Sequence, residues 1–190
     1  MPDHPLPPAA YAERAKPADV APVRRAVASR SAIAVADLTP NNVGQLRMLN
    51  TKLFPIPYSN QVYEQVLEED MRPVCKLGLF NDIPVGNVCC RVEDGRDSAH
   101  CKVYIMTLGI LAPYRRLGVA SALLKQVLDH AAPGMQFAGR RVEAVYLHVQ
   151  VGNENARAFY EKAGFAVVGT AENYYNKLEP SSAWVLEKKE

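Results

Sequence analysis

The 190-residue chain predicts a mixed α/β fold, one central sheet with helices on both faces. Three observations carry this. Short segments rich in branched and aromatic residues, the mark of strands, recur along the chain, about seven in all. Between them stand segments whose apolar residues repeat at helical spacing. Hydrophobic residues make up 48% of the sequence, enough for the core of one domain of this length.

Residues 1–30 stand apart. They are rich in proline and alanine, carry Arg14, Lys16, Arg24, Arg25 and Arg30, and show no sustained period. They read as a flexible, mildly basic tail, with the folded domain expected over 31–190. Two sharper readings of such an arm are a contact for an RNA phosphate backbone and an organelle-targeting segment, the second opposed by Asp3, Glu13 and Asp19.

Residues 33–38 read as the first strand. Thr39-Pro40 predicts a helix start, with threonine as N-cap and proline in the first turn, followed by the stripe Val43, Leu46, Leu49 and Leu53. Phe54-Pro55-Ile56-Pro57-Tyr58 ends that helix, because its prolines cannot continue it. Ser59 then caps a second helix with Val62, Tyr63, Val66 and Leu67 inward. Residues 74–80 and 84–92 form two strands joined by an Asn81-Asp82 turn. A polar turn at 94–97 leads into a strand over 102–109. A third helix, with Val119, Leu123, Leu124, Val127 and Leu128 in register, runs to about Ala131 and stops before Pro133-Gly134. Residues 142–150 alternate, with Val145, Leu147 and Val149 on one face and Tyr146 and His148 on the other. Asn153 caps a fourth helix ending at Gly164, and strands at 165–170 and 183–186 complete the sheet.

The stretch 104–124 is the most informative. It runs from an apolar strand through a short loop with Arg115-Arg116-Leu117-Gly118 into the third helix. A helix start leaves several N–H groups unpaired, and its dipole favours negative charge there. Glycine lets a phosphate approach the main chain, and arginine adds charge-assisted hydrogen bonds. Arg115, Arg116, Leu117, Gly118, Val119, Ala120 and Ser121 therefore read as a pyrophosphate cradle. A surface helix with a basic first turn would carry the same residues, but cations sit poorly at that end of a helix and an anion removes the conflict.

This segment, together with NENARAFYEKAGF at 153–165, resembles the acetyl-CoA site of the GNAT superfamily of N-acetyltransferases. More specifically, YIMTLGILAPYRRLG, VYLHVQVGNENARAFY and ENYYNKLEP are similar to the San family, the catalytic subunits of N-terminal acetyltransferase E. The likeness covers about 33–188. It implies a GNAT fold in which the strands holding Met106 and His148 splay apart around the cofactor. It also implies acetyl-CoA as co-substrate, with no metal, and protein N-termini as acceptors, favouring methionine followed by an apolar residue. The implied cofactor contacts are Leu108, Gly109, Ile110, the cradle, Asn153 and Tyr160, with the Leu108 N–H polarising the thioester and Tyr160 beside the departing sulfur. Tyr104 and His148 are the implied catalytic pair, acting on the amine through water. Phe54, Pro55, Ile56, Tyr58, Met106, Tyr174, Tyr175 and Leu178 are the implied walls of the peptide entrance. The implied partners are the N-terminal acetyltransferase A complex and the ribosome. The expected location is the cytoplasm, with the nucleus as a second place. Lysine acetylation and a docking role without catalysis are the competing readings.

Composition sets limits. The net charge of +2 argues against bulk nucleic-acid binding as the main activity. No apolar run approaches the length of a membrane span. Cys75, Cys89, Cys90 and Cys101 lack zinc-ligand spacing and read as reduced core residues.

Overall fold

The structure is a computed structural model and describes residues 32–175 and 178–189. The tail read at 1–30 and the pair Asn176-Lys177 lie outside the described residues.

The strands are β1 (Ile33–Asp37), β2 (Lys76–Phe80), β3 (Ile83–Asp94), β4 (His100–Ile110), β5 (Gln136–Phe137), β6 (Arg140–Gln150), β7 (Ala166–Ala171) and β8 (Ala183–Lys189). The helices are α1 (Val43–Leu53), α2 (Asn60–Gln65), α3 (Val119–Ala131) and α4 (Glu154–Lys162). Seven strands form one open sheet in the order β1-β2-β3-β4-β6-β8-β7. β4 and β6 run parallel, and the other pairs in this path are antiparallel. The expected mixed sheet is present. The two-residue β5, which pairs with β6, is an eighth strand too short to leave a pattern.

Local chemistry accounts for most boundaries. Asn81 and Asp82 both take positive φ, 49° and 64°, as the tight turn between right-twisting strands requires. Asn153 accepts a hydrogen bond from the Ala156 N–H and caps α4. At the other end of α4, Gly164 has φ 87°. Its N–H bonds to Glu161, and Phe165 N–H bonds to Tyr160, closing the helix. The expected Thr39 cap is a correction. α1 starts at Val43, because the Asn42 side chain folds back to accept from Thr39 N–H and donate to the Asp37 carbonyl, making a turn ahead of the helix. At the β1–β2 edge, Asp37 accepts from the buried Lys76 ammonium and from Arg72, and the Lys76 bond above all holds its carboxyl below the usual range.

Strand alternation fixes which helix covers which face. Gly78 of β2 lies opposite Gly86 of β3. A Cβ on Gly78 would meet Val119 at 2.7 Å and Leu123 at 3.0 Å, so this face carries α3. The next residue, Asn87, points the other way and bonds to Asn50 of α1. The core therefore has two layers, with Val119, Leu123 and Val127 beneath one face and Leu46 and Leu49 beneath the other. Gly78→Ala should lower stability by about 1–3 kcal/mol in urea unfolding, through overpacking against α3. An unchanged midpoint would mean that α3 can give way at that contact.

Candidate active site

The site begins with a break in the sheet. β4 pairs with β6 from His100↔Arg141 to Tyr104↔Tyr146 and then parts from it, although both strands continue. The cause lies on the other side of β4. Cys89 faces Thr107 and Cys90 faces Ile105, so Met106 is an extra residue with no opposite number. A bulge of this kind bends its strand away from the former neighbour. Beyond it, Leu111 N–H bonds to the Val85 carbonyl. Backbone groups alternate in direction along a strand. Gly109 and Thr107 therefore face β3, and the amides of Leu108 and Ile110 face the gap. A cleft of about 1590 Å³ occupies this gap.

One part of the cleft is a helix start. The chain leaves β4 through a single turn, Ala112–Tyr114, and enters α3 at Gly118. Ala122 N–H bonds to the Gly118 carbonyl, so the N–H groups of Val119, Ala120 and Ser121 lie ahead of the helical ladder. Gly118 has φ 96°, and the nearest atom to a Cβ there would be Ile33 Cδ1 at 3.3 Å. Conformation, more than space, calls for glycine at this turn. Arg115 Nε donates to the Ile110 carbonyl at 3.0 Å and ties the loop to the strand end. Arg115, Arg116, Gly118, Ala120 and Ser121 line the cleft. The side chains of Leu117 and Val119 do not: Leu117 is 45% exposed and Val119 packs in the core. Their contribution to the cradle is confined to the main chain. Asn153, the N-cap of α4, and Tyr160, in the last turn of that helix, also line the cleft.

The other part is aromatic. Tyr104 OH lies 2.7 Å from Tyr174 OH and 3.3 Å from His148 Nδ1. The Tyr174 ring stacks on His148 at 4.1 Å and 11°, and Tyr175 meets Tyr174 edge-on. Tyr104 and His148, expected as a pair from separate strands, are thus brought together. Burial pushes the Tyr104 phenol well up, and its hydrogen bond with the Tyr174 hydroxyl adds to this, so it stays protonated. Burial also pulls His148 below its ordinary value, with the Glu93 carboxylate opposing and the Arg91 guanidinium assisting. Phe54, Pro55, Ile56, Tyr58, Met106, Tyr175 and Leu178 line the cleft as well. Phe54 meets Tyr58 edge-on at 6.2 Å. A Cβ on Gly109 would strike Phe54 at 2.8 Å, so that glycine gives the ring its seat. Burial raises Tyr58 and Tyr175 each to about 12.

Sequence reasoning missed a supporting group. Arg91 lies 4.7 Å over the Tyr104 ring and donates to Glu93 at 2.7 Å. Glu93 in turn accepts from the Tyr146 hydroxyl, and Tyr146 packs 4.9 Å from Tyr104. The available signal was that Arg91 and Glu93 sit two apart on a strand and so share a face.

The His148 shift has a definite sign. A histidine whose folded pKa lies below the unfolded value of about 6.5 takes up a proton more readily in the unfolded chain. Its stabilising effect is complete above that pH and is lost as pH falls through the folded value. The His148 ring should titrate with a midpoint below 6.5 when followed by NMR; a midpoint at or above 6.5 would contradict this.

Residues 43–165 match the Acetyltransferase (GNAT) family. The chain is 45% identical over 156 residues to N-alpha-acetyltransferase 50 of Danio rerio, covering 82% of this chain and 88% of that protein. It is 42% identical over 160 residues to the probable N-acetyltransferase san of Drosophila melanogaster, covering 84% and 82% respectively. Among solved structures, Naa50 of Arabidopsis thaliana in complex with the bisubstrate analogue CoA-Ac-MVNAL superposes with a TM-score of 0.73 at 39% identity, covering 83% of this chain and 99% of that one. With its splayed sheet, amide-lined gap and helix-start cradle, the chain belongs to the GNAT family of acetyltransferases.

Proposed function

We propose that this protein is an N-terminal protein acetyltransferase that uses acetyl-CoA to acetylate the α-amine of chains beginning with methionine and an apolar residue. The observation that carries it is the juxtaposition, in one cleft, of an anion-binding helix start, an outward-facing strand amide and a neutral histidine–tyrosine pair under an aromatic roof. The relatives named above support the acceptor class: the Arabidopsis Naa50 structure holds an analogue joining CoA to a Met-Val peptide.

Bound acetyl-CoA supplies an acetyl group activated as a thioester. The N–H groups at the start of α3, with Arg115 and Arg116, suit its diphosphate. The Leu108 N–H, facing the gap, is placed to donate to an acyl oxygen as charge gathers there. Of the catalytic pair, Tyr104 is held protonated and so acts as a hydrogen-bond relay. His148 is held neutral and takes the proton from the amine, directly or through water. Burial holds the Tyr160 phenol well above its ordinary pKa, which keeps it a donor for a departing sulfur. Phe54, Pro55, Ile56, Tyr58 and Met106 wall the space for the first side chain, with Tyr174, Tyr175 and Leu178 across from them. This enclosure favours a chain end over a mid-chain lysine.

We further propose a cytoplasmic role beside the ribosome, docked on an N-terminal acetyltransferase A complex, for which the basic residues within 1–30 of the sequence offer charge. In an acetyl-CoA-dependent assay, a Met-Leu peptide with a free amine should be acetylated, and the same peptide with its amine blocked and an internal lysine should not. Preference for the blocked peptide would overturn the reading in favour of lysine acetylation. Tyr104→Phe and His148→Ala should each lower kcat by roughly 10²-fold or more, the scale of a lost proton-transfer group, while the acetyl-CoA Kd measured by calorimetry stays within about twofold. Unchanged kcat in both variants would remove the pair from the mechanism.

A further inference from the structure

The core contains a polar device that the mechanism above leaves unused. Among the described residues, four polar or charged side chains are buried: Asn50, Lys76, Asn87 and Thr107. Lys76 belongs to the β1–β2 ion pair. The other three form a single chain of hydrogen bonds. Thr107 Oγ1 donates to Asn87 Oδ1 at 2.9 Å, and Asn87 Nδ2 donates to Asn50 Oδ1 at 3.0 Å. Asn50 Nδ2 donates to the hydroxyl of the buried Tyr63 at 3.4 Å.

The two ends of this chain matter. Thr107 stands on β4 between the Met106 bulge and Leu108, whose amide faces the cleft. Asn50 lies on the last turn of α1, and its carbonyl accepts from Phe54 N–H at 2.9 Å. Tyr63 lies on α2, on the far side of the proline-rich segment 54–58. One buried network therefore holds both flanks of that segment and anchors them to the strand that carries the reacting amide. The packing of Phe54 on Gly109, two residues from Thr107 on the same face, is part of the same joint.

An apolar set of similar volume would fill this space, and buried polar groups are costly unless each is partnered. What a satisfied network adds is a defined distance and direction between the elements it joins. We propose that Asn50, Asn87 and Thr107 are positioning residues that set the separation between the peptide-binding segment and the Leu108 amide, and so the fit of the acceptor's first side chain. This rests on the acceptor class proposed above. The network touches neither the helix-start cradle nor the Tyr104–His148 pair in the hydrogen bonds just described, so its influence falls on the peptide side of the reaction.

The test compares Thr107→Val, Thr107→Ser and Asn87→Ala with the wild-type chain. Four quantities are measured: peptide KM and kcat, acetyl-CoA Kd by calorimetry, thermal midpoint, and the ratio of kcat/KM for Met-Leu over Ala-Leu peptides. Thr107→Val keeps the shape but removes the short hydroxyl donor to Asn87 Oδ1, leaving that oxygen only the weak, long thiol contact of Cys89 at 3.9 Å. It should raise peptide KM roughly tenfold, the scale of a mispositioned contact, and shrink the Met-to-Ala ratio, with acetyl-CoA Kd within about twofold. Thr107→Ser restores the donor and should return both quantities towards wild type. Asn87→Ala removes the hub and should reproduce the valine effect, which keeps the proposal testable if the valine variant fails to fold. A fall in thermal midpoint with peptide KM and selectivity unchanged, a parallel loss of acetyl-CoA binding, or a serine variant as impaired as the valine one would each overturn it. Failure of the wild-type chain to acetylate any free-amine peptide would instead overturn the acceptor assignment.

Discussion

The structure depends on a sheet that declines to close. Strands β4 and β6 begin as a regular parallel pair and separate beyond Tyr104 and Tyr146. Unpaired strand edges inside a protein are costly, because their amides and carbonyls lose water without gaining partners. The bulge at Met106 makes this cost unavoidable, since it turns β4 away and leaves the groups of Leu108 and Ile110 facing the gap. A ligand with an acceptor where β6 would have supplied one is the natural completion. Arg115, bonded to the Ile110 carbonyl, shows the chain answering one of these groups itself while the Leu108 amide still faces the cleft.

The same separation explains why groups from distant parts of the chain converge. Strands that part open a space between them, and side chains on one face lean into it. Tyr104 and Tyr146 mark the last rung before the gap, and His148 is the next residue of β6 on that face. Arg91 and Glu93 occupy the neighbouring positions of β3. The Arg91–Glu93 pair is partly exposed, and as a surface salt bridge it would contribute little to stability. Its importance lies in where it sits. The guanidinium over Tyr104 and the carboxylate on the Tyr146 hydroxyl fix two rings that flank His148.

The sequence was most legible where local rules act alone. The Asn81-Asp82 turn, the Asn153 cap, the close of α4 at Gly164 and the alternation of β6 follow from short-range chemistry, and the structure agrees with each. The Thr39 cap failed because Asn42, three residues on, offers both an acceptor and a donor and outcompetes the hydroxyl. β5 failed because two residues carry no period. In the site, the likeness to a family led to the expectation that Tyr104 and His148 would meet, and the two side chains do meet. The Asn50–Asn87–Thr107 chain was not legible. Each member is an ordinary polar residue on a segment whose pattern was already explained, and their meeting depends on β3 and β4 being in register and α1 lying across them. Register is a long-range property, and one residue's slip would place Asn87 on the α3 face.

Amine chemistry links this geometry to the choice of acceptor. An α-amine has a pKa near 7.7–8.0 and a lysine amine near 10.4, so near neutral pH the lysine must surrender roughly two to three pKa units more, at about 1.36 kcal/mol each. A base that meets the larger demand needs a high proton affinity. His148 is pulled the other way by burial, and the Arg91 guanidinium adds to the pull. Such a group is free of its proton at neutral pH but accepts one weakly, which suits an amine already close to neutrality. The Tyr104 phenol cannot supply the difference, since burial holds it protonated. In the proposed mechanism, the preference for a chain's first residue is set twice, once by the aromatic residues lining the cleft and once by how little proton affinity the buried pair can offer.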